Sequence, residues 1–179
     1  MSTREPFEII PVWKKVNAKL SAELIDLWGR SQVLPDHARA AQRAREAVCI
    51  VRDQSGAVCG VGTAVIRVLP RLRQPLYYYR QFFAPELRGQ KRAVPFLNEA
   101  RRLLEDYNES LAAPESIGML LELENQQLVT RYERAYEPEA DSTFIGYSPG
   151  GLQLRVSYFK NARLLQPSFV GPLAVARSA

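Results

Sequence analysis

The stretch FFAPELRGQKRAVPFLNEARRLL, residues 82–104, decides the fold. Phe82 and Phe83 close a strand-like aromatic run, and Ala84 leads into Pro85 and a basic turn around Gly89. An amphipathic helix then begins at about Arg92. Phe96, Leu97, Ala100, Leu103, Leu104 and Tyr107 share one face, and Asn98, Glu99, Arg101, Arg102, Glu105 and Asp106 the other. Pro95 is tolerated because the first helical turn has no backbone bond for it to remove. Arg88, Lys91 and Arg92 thus crowd the positive end of a helix dipole, the wrong end for cations. An anion held between them resolves the conflict. Backbone amides of the turn and the helix start form a cradle, and the cations add charge around it. The residues predict a phosphate or pyrophosphate site; a solvated helix start is the competing reading.

Working outward, FEIIPVW (7–13) reads as a first strand that Pro11 confines to an edge. Leu20, Leu24, Leu27 and Trp28 recur at helical spacing between Asn17 and Gly29, and Asp36 marks the N-cap of a second helix running to about Glu46. The runs AVCIVRD and AVCGVGTAVIRV, joined by Asp53-Gln54-Ser55-Gly56, predict a hairpin. The basic linker PRLRQP leads to the strand LYYYRQFF. Beyond the helix of the opening stretch, IGMLLELE predicts a strand. A helix from Asn125 follows, with Leu128, Tyr132 and Ala135 on one face. STFIGYS and LQLRVSYF predict a closing hairpin around Pro149-Gly150-Gly151. Residues 1–160 read as one domain, and 161–179 as a surface-packed, partly mobile tail. The order β, α, α, β, β, β, α, β, α, β, β predicts a mixed α/β (α+β) fold. Its sheet is mostly antiparallel, with one parallel step where a helix crosses between central strands. Ligands of such sheets favour the C-terminal ends of strands.

Composition closes several doors. With 46% apolar and 24% charged residues, the 179-residue chain is of ordinary globular type. No apolar run approaches the roughly 18 residues of a membrane helix, and MSTREPFEII lacks a signal peptide's apolar segment, so a cytoplasmic protein without membrane contact is expected. The net charge of +5 is scattered from Arg4 to Arg177 and no recognition motif is present, which argues against a nucleic-acid partner. Cys49 and Cys59 lie in apolar runs and read as buried thiols. With a single histidine, His37, at a helix start, no metal site is spaced for.

The strand, proline, arginine-glycine turn and helix resemble the acyl-CoA-binding motif of the GNAT superfamily of N-acyltransferases, (Arg/Gln)-x-x-Gly-x-(Gly/Ala). Here it reads Arg88-Gly89-Gln90-Lys91-Arg92-Ala93; the outer positions match, and Lys91 stands at the central glycine. At that position glycine lets backbone approach a pyrophosphate closely; a lysine serves there if its φ is negative. LLELENQQLVTRYERAY resembles the family's next strand and helix, with Asn125 at the strand end and Tyr132 seven residues on. The resemblance covers roughly residues 7–159 and implies a twisted sheet flanked by helices on both faces.

It further implies that Phe82, Phe83 and Ala84 hydrogen-bond the pantetheine of acetyl-CoA through backbone. Arg88, Gly89, Gln90, Lys91, Arg92, Ala93 and Val94 would hold its pyrophosphate, with Asn125 nearby. Tyr132 would protonate the departing thiolate, a fitting role for a phenol of pKa about 10. For the general base, LYYYRQFF offers Arg80 and Gln81 but no acid. Glu122 and Glu124, on one face of the next strand, are the candidates. The implied activity is acetyl transfer from acetyl-CoA to a small-molecule or peptide amine by direct attack. The acceptor pocket would lie between the first two helices, including the Val33 to His37 connection, and the last hairpin. A homodimer is left open. The residues themselves leave three alternatives: a GNAT-like module that binds a ligand or protein without catalysis, Tyr132 as a packing residue, and Glu122 as a surface glutamate.

Overall fold

The computed structural model describes residues 8–88 and 91–167. Gly89 and Gln90 of the expected cradle, the first strand's Phe7 and the end of the expected tail lie outside the described residues.

The chain runs β1 (Ile10–Pro11), α1 (Ala18–Arg30), α2 (His37–Ala44), β2 (Ala47–Arg52), β3 (Val58–Leu69), β4 (Gln74–Phe83), a 3-10 turn (Pro85–Leu87), α3 (Ala93–Ser110), β5 (Gly118–Leu123), α4 (Gln126–Arg131), β6 (Tyr136–Glu137), β7 (Ser142–Tyr147) and β8 (Gln153–Tyr158). The strands form one sheet in the order β1-β2-β3-β4-β5-β8-β7-β6. Every pairing is antiparallel except β4 with β5, which α3 joins as a crossover. The expected mixed, mostly antiparallel α/β sheet with one parallel step is therefore what the chain forms.

Local chemistry explains the boundaries. The Asn17 side chain accepts from the Leu20 amide and that of Asp36 from the Arg39 amide, capping α1 and α2. In the β2–β3 turn, Asp53 accepts from the Ser55 amide, the Ser55 hydroxyl and the Ala57 amide. Along the long β3–β4 ladder, Gly60 and Gly62 leave room for two rings. A Cβ at Gly62 would stand 2.5 Å from the Tyr79 hydroxyl oxygen, and one at Gly60 would stand 2.7 Å from Phe83 Cδ1. Glycine there seats aromatic side chains of β4 across the neighbouring strand.

The two faces of β4 look at different helices. Phe83 meets Phe96 of α3 edge-on at 5.0 Å, and Gln81 Nε2 donates to the Ala93 carbonyl at 3.2 Å. Strand alternation therefore turns Tyr77, Tyr79, Gln81 and Phe83 toward α3, and Tyr78, Arg80 and Phe82 toward the opposite face. On that face Arg43 of α2 donates to Thr63, the register partner of Arg80, at 3.3 Å. The Arg43 guanidinium also lies 5.4 Å from the Trp28 ring of α1. Helices thus cover both faces of the sheet. No helix among the described residues is long and apolar enough to cross a membrane.

Three boundaries differ from the sequence expectation. Among the described residues the first strand is short, with Ile10 and Pro11 in the ladder and one further bond from the Val12 amide to the Val48 carbonyl. The helix after Asn125 stops at Arg131, because the Arg134 amide donates to Glu137 and the Ala135 carbonyl accepts from Phe144, which pulls the chain into β6. Tyr132 and Ala135 are therefore not helical. The start of the tail is tied down, since Gln74 exchanges two side-chain hydrogen bonds with the backbone of Leu165.

Candidate active site

The parallel pair β4 and β5 comes apart at its C-terminal end. Pairing stops at Tyr79↔Leu121, yet β4 continues on β3 to Phe83 and β5 continues on β8 to Leu123. The Ala84 amide donates to Cys59 on β3. Alternation from that bond assigns the backbone of Phe82 to β3, and turns the N–H and C=O groups of Gln81 and Phe83 toward the side that β5 has left. An amide-bearing ligand laid along this edge would pair with the main chain as an added strand does, displacing Arg88 Nε from the Phe83 carbonyl. Of the three residues expected to do this, only Phe83 is so oriented. Ala84 and Phe82 are spent on β3, and Gln81 takes the second place.

The split opens at the start of α3. Arg92 is the N-cap residue, without a side-chain cap, and its carbonyl accepts from Phe96. Ala93 and Val94 lead the first turn, whose amides have no intrahelical partner by construction. Lys91 has φ 54°, in the left-handed region that glycine adopts most readily. The condition set for a lysine there, a negative φ, is not met: Lys91 takes a backbone conformation that glycine adopts most readily. Arg88 folds back along the strand, its Nε donating to the Phe83 carbonyl at 3.1 Å and its guanidinium 5.5 Å from the Phe82 ring.

On the α3 face, Tyr132 is buried in the same core as Phe83, Phe96, Leu121 and Leu123. Burial raises its pKa against the pull of Arg131 and Arg155, so the phenol keeps its proton at neutral pH. The Arg155 guanidinium stands 5.7 Å from the Tyr132 ring. Arg155 is 1% exposed, and its donors go to the Ser142 hydroxyl and carbonyl, the Gln153 side chain and the carbonyls of Arg134 and Ala135. It thereby fixes the segment that follows Tyr132. Asn125 lies two residues beyond β5, directly before α4, and its carbonyl accepts from Val129.

On the α1 and α2 face, the Tyr78 hydroxyl donates to Glu122 Oε2 at 2.6 Å across the last rungs of the β4–β5 pair. Burial, and then this bond, push the Tyr78 phenol up to about 12. Glu122 is half-buried and Glu124 exposed. Arg67 and Arg80 both lie over the Tyr78 ring, at 4.1 Å and 4.7 Å. The groove beside Val16, Asn17, Ser21, Ile25, His37 and Arg45, with a volume of about 710 Å³, lies along α1 and the start of α2 and contains none of these residues.

No family model and no curated protein matches the sequence. Solved structures do. An acetyltransferase of the GNAT family from Streptococcus pneumoniae is similar at a TM-score of 0.55 and 14% identity, over 86% of this chain and 99% of that one. A GNAT superfamily phosphinothricin acetyltransferase from Sinorhizobium meliloti, solved in complex with AcCoA, is similar at a TM-score of 0.53 and 14% identity, over 93% and 97% of the two chains. A GNAT family acetyltransferase from Listeria monocytogenes is similar at a TM-score of 0.52 and 18% identity, over 85% and 94%. This chain has the GNAT fold.

Within that GNAT fold, the parted strands and the α3 start bring together Phe83, Arg88, Lys91, Arg92, Ala93 and Val94. Tyr132 and Glu122 flank the split from opposite faces of the sheet. The sequence reading saw in Arg80 and Gln81 only the lack of an acid, and it passed over Arg155. Gln81 was findable, being two residues before Phe83 on the same strand face. Arg155 carried no signal, since an arginine inside an apolar strand reads as a surface residue until its five acceptors are seen.

Proposed function

We propose that the chain is an N-acetyltransferase that moves acetyl from acetyl-CoA to an amine by direct attack. The observation that carries this reading is the parting of β4 and β5 after Tyr79 and Leu121, directly before the uncapped start of α3. Main-chain groups of Gln81 and Phe83 suit the amides of a pantetheine arm. The amides of Ala93 and Val94, with Lys91 and Arg92, suit its pyrophosphate. Bound there, acetyl-CoA supplies an activated acyl carbonyl and a thiolate leaving group.

The chain's own residues divide the remaining work between the faces of the sheet. Glu122 takes a proton from the incoming ammonium on the α1 and α2 face, held in orientation by the Tyr78 hydroxyl. The amine nitrogen then bonds to the acyl carbon, the carbon–sulfur bond breaks, and the acylated nitrogen gives up its second proton to solvent. Tyr132, neutral and buried on the α3 face, gives the departing sulfur its proton. A gap between two strands is the one place where an acid and a base on opposite faces reach the same bond.

The test is release of free coenzyme A thiol from acetyl-CoA in the presence of an amine panel. Turnover with at least one amine is the expected result. Saturable acetyl-CoA binding with no turnover on any amine would instead favour a binding module built on the same fold.

A further inference from the structure

The register of the β4–β5 pair, continued one step past Tyr79↔Leu121, sets Arg80 opposite Glu122. The strands have parted there, so these are the first residues to face each other across the split on the α1 and α2 side. They form no ion pair. Among the described residues Arg67, Arg80 and Arg43 join no salt bridge at all, and neither do Glu46, Glu122 and Glu124. Each group is held back by something else. Tyr78 holds Glu122 by its hydroxyl and Arg80 and Arg67 by its ring, while Thr63 receives Arg43. Arg80, Arg43 and Arg67 all pull on the Glu46 carboxyl, yet burial keeps it above the usual range. The lip of the split therefore carries both signs of charge, close together and unpaired.

Arg80 and Glu122, half-buried and not paired with each other, leave both signs of charge to a ligand that carries the two opposite ones. An extended arginine normally collapses onto an available carboxylate; here stacking on one buried ring keeps two guanidinium groups forward. A guanidinium is also the side chain best shaped to take a carboxylate through two parallel hydrogen bonds. Arg80 is half-buried and Arg67 exposed, so the pair is open to a ligand from the solvent side.

We propose that the acceptor is an amino acid, an amine that carries its own carboxylate, with Arg80 and Arg67 binding the carboxylate and Glu122 the ammonium. The location of the reacting amine rests on the transferase reading. The carboxylate site does not.

The experiment pairs each of a panel of α-amino acids with the amine that lacks its carboxylate, on the purified chain with acetyl-CoA. Both coenzyme A release and calorimetric binding are read. The expected result is a kcat/KM at least about tenfold higher for the amino acid of the best pair, the scale of a charge-assisted hydrogen bond. In Arg80→Gln this ratio narrows toward one. Arg67→Gln, at an exposed position, repeats the test should Arg80→Gln fail to fold. Equal kcat/KM and equal affinity within every pair would overturn the proposal and leave the transferase reading standing. If no amine turns over, amino acid binding that is lost in Arg80→Gln or Arg67→Gln sustains the site and removes the transferase reading, whereas the absence of any carboxylate-dependent heat overturns the site as well.

Discussion

The Tyr78 hydroxyl and the Glu122 carboxylate meet at 2.6 Å where β4 and β5 share their last rungs. The bond fixes a half-buried carboxylate at the mouth of the split, and it makes Glu122 testable without disturbing its neighbour. Glu122→Gln keeps an acceptor for Tyr78 and removes the base. Steady-state kinetics should show kcat lower by about a hundredfold or more, the usual scale for loss of a general base, with little change in the KM for acetyl-CoA. Tyr78→Phe leaves the base in place but frees its orientation, and should cost less.

Tyrosine burial sets an alkaline limit. Desolvation raises the phenols of Tyr77, Tyr78 and Tyr79 above the ordinary value of about 10. Their neutral forms are favoured in the folded state, so the stability they confer is fully present below the unfolded value. It falls as pH rises from there toward the folded value, about 12 for Tyr78. Denaturant midpoints should therefore hold steady up to about pH 10 and drop beyond it, with phenolate absorbance appearing together with unfolding.

Lys91 separates backbone shape from charge. Its left-handed φ of 54° costs a residue with a Cβ roughly 1 kcal/mol, which glycine avoids while gaining a similar freedom in the unfolded chain. Lys91→Gly should thus leave stability within about 0.5 kcal/mol of the wild type. Loss of the ammonium should raise the acetyl-CoA Kd about fivefold, equivalent to ~1 kcal/mol. Tighter binding in Lys91→Gly would mean that the side chain obstructs the site.

Arg155 is a buried cation without an ion pair among the described residues, satisfied entirely by neutral acceptors. Arg155→Met should destabilise by about 3 kcal/mol or more, because the buried hydroxyl and carbonyl of Ser142 and the Gln153 side-chain oxygen lose their donor together. Arg155→Lys should recover little of it, since an ammonium cannot reach in three planar directions. Thermal or denaturant unfolding of the two variants checks this.

Much of the fold was legible because its signals are local. Asn17 and Asp36 cap where capping residues belong, the turns at Asp53 and Pro149 separate alternating strands, and the apolar face of α3 repeats at helical spacing. The helix–strand order then leaves one parallel step, and that step sets the site. What escaped the sequence depends on register and tertiary pairing. Whether Phe82 or Phe83 looks into the split is a matter of a one-residue phase fixed by the Ala84 to Cys59 bond. The length of α4 was misjudged because helical propensity in TRYERAY yields to the pairing of β6 with β7. The left-handed Lys91 contradicts a propensity, as residues at ligand-binding turns do more often than others. Tyr78 and Arg80 were visible as residues, but their common contact with Glu122's neighbourhood needs the β4–β5 register.

The most direct measurement is the map of backbone amide NMR shifts on titration with acetyl-CoA. The account predicts saturable shifts at Gln81 and Phe83 along the open edge of β4, and at Ala93 and Val94 at the start of α3. Shifts confined to the groove along α1 and α2, or none at millimolar acetyl-CoA, would contradict it.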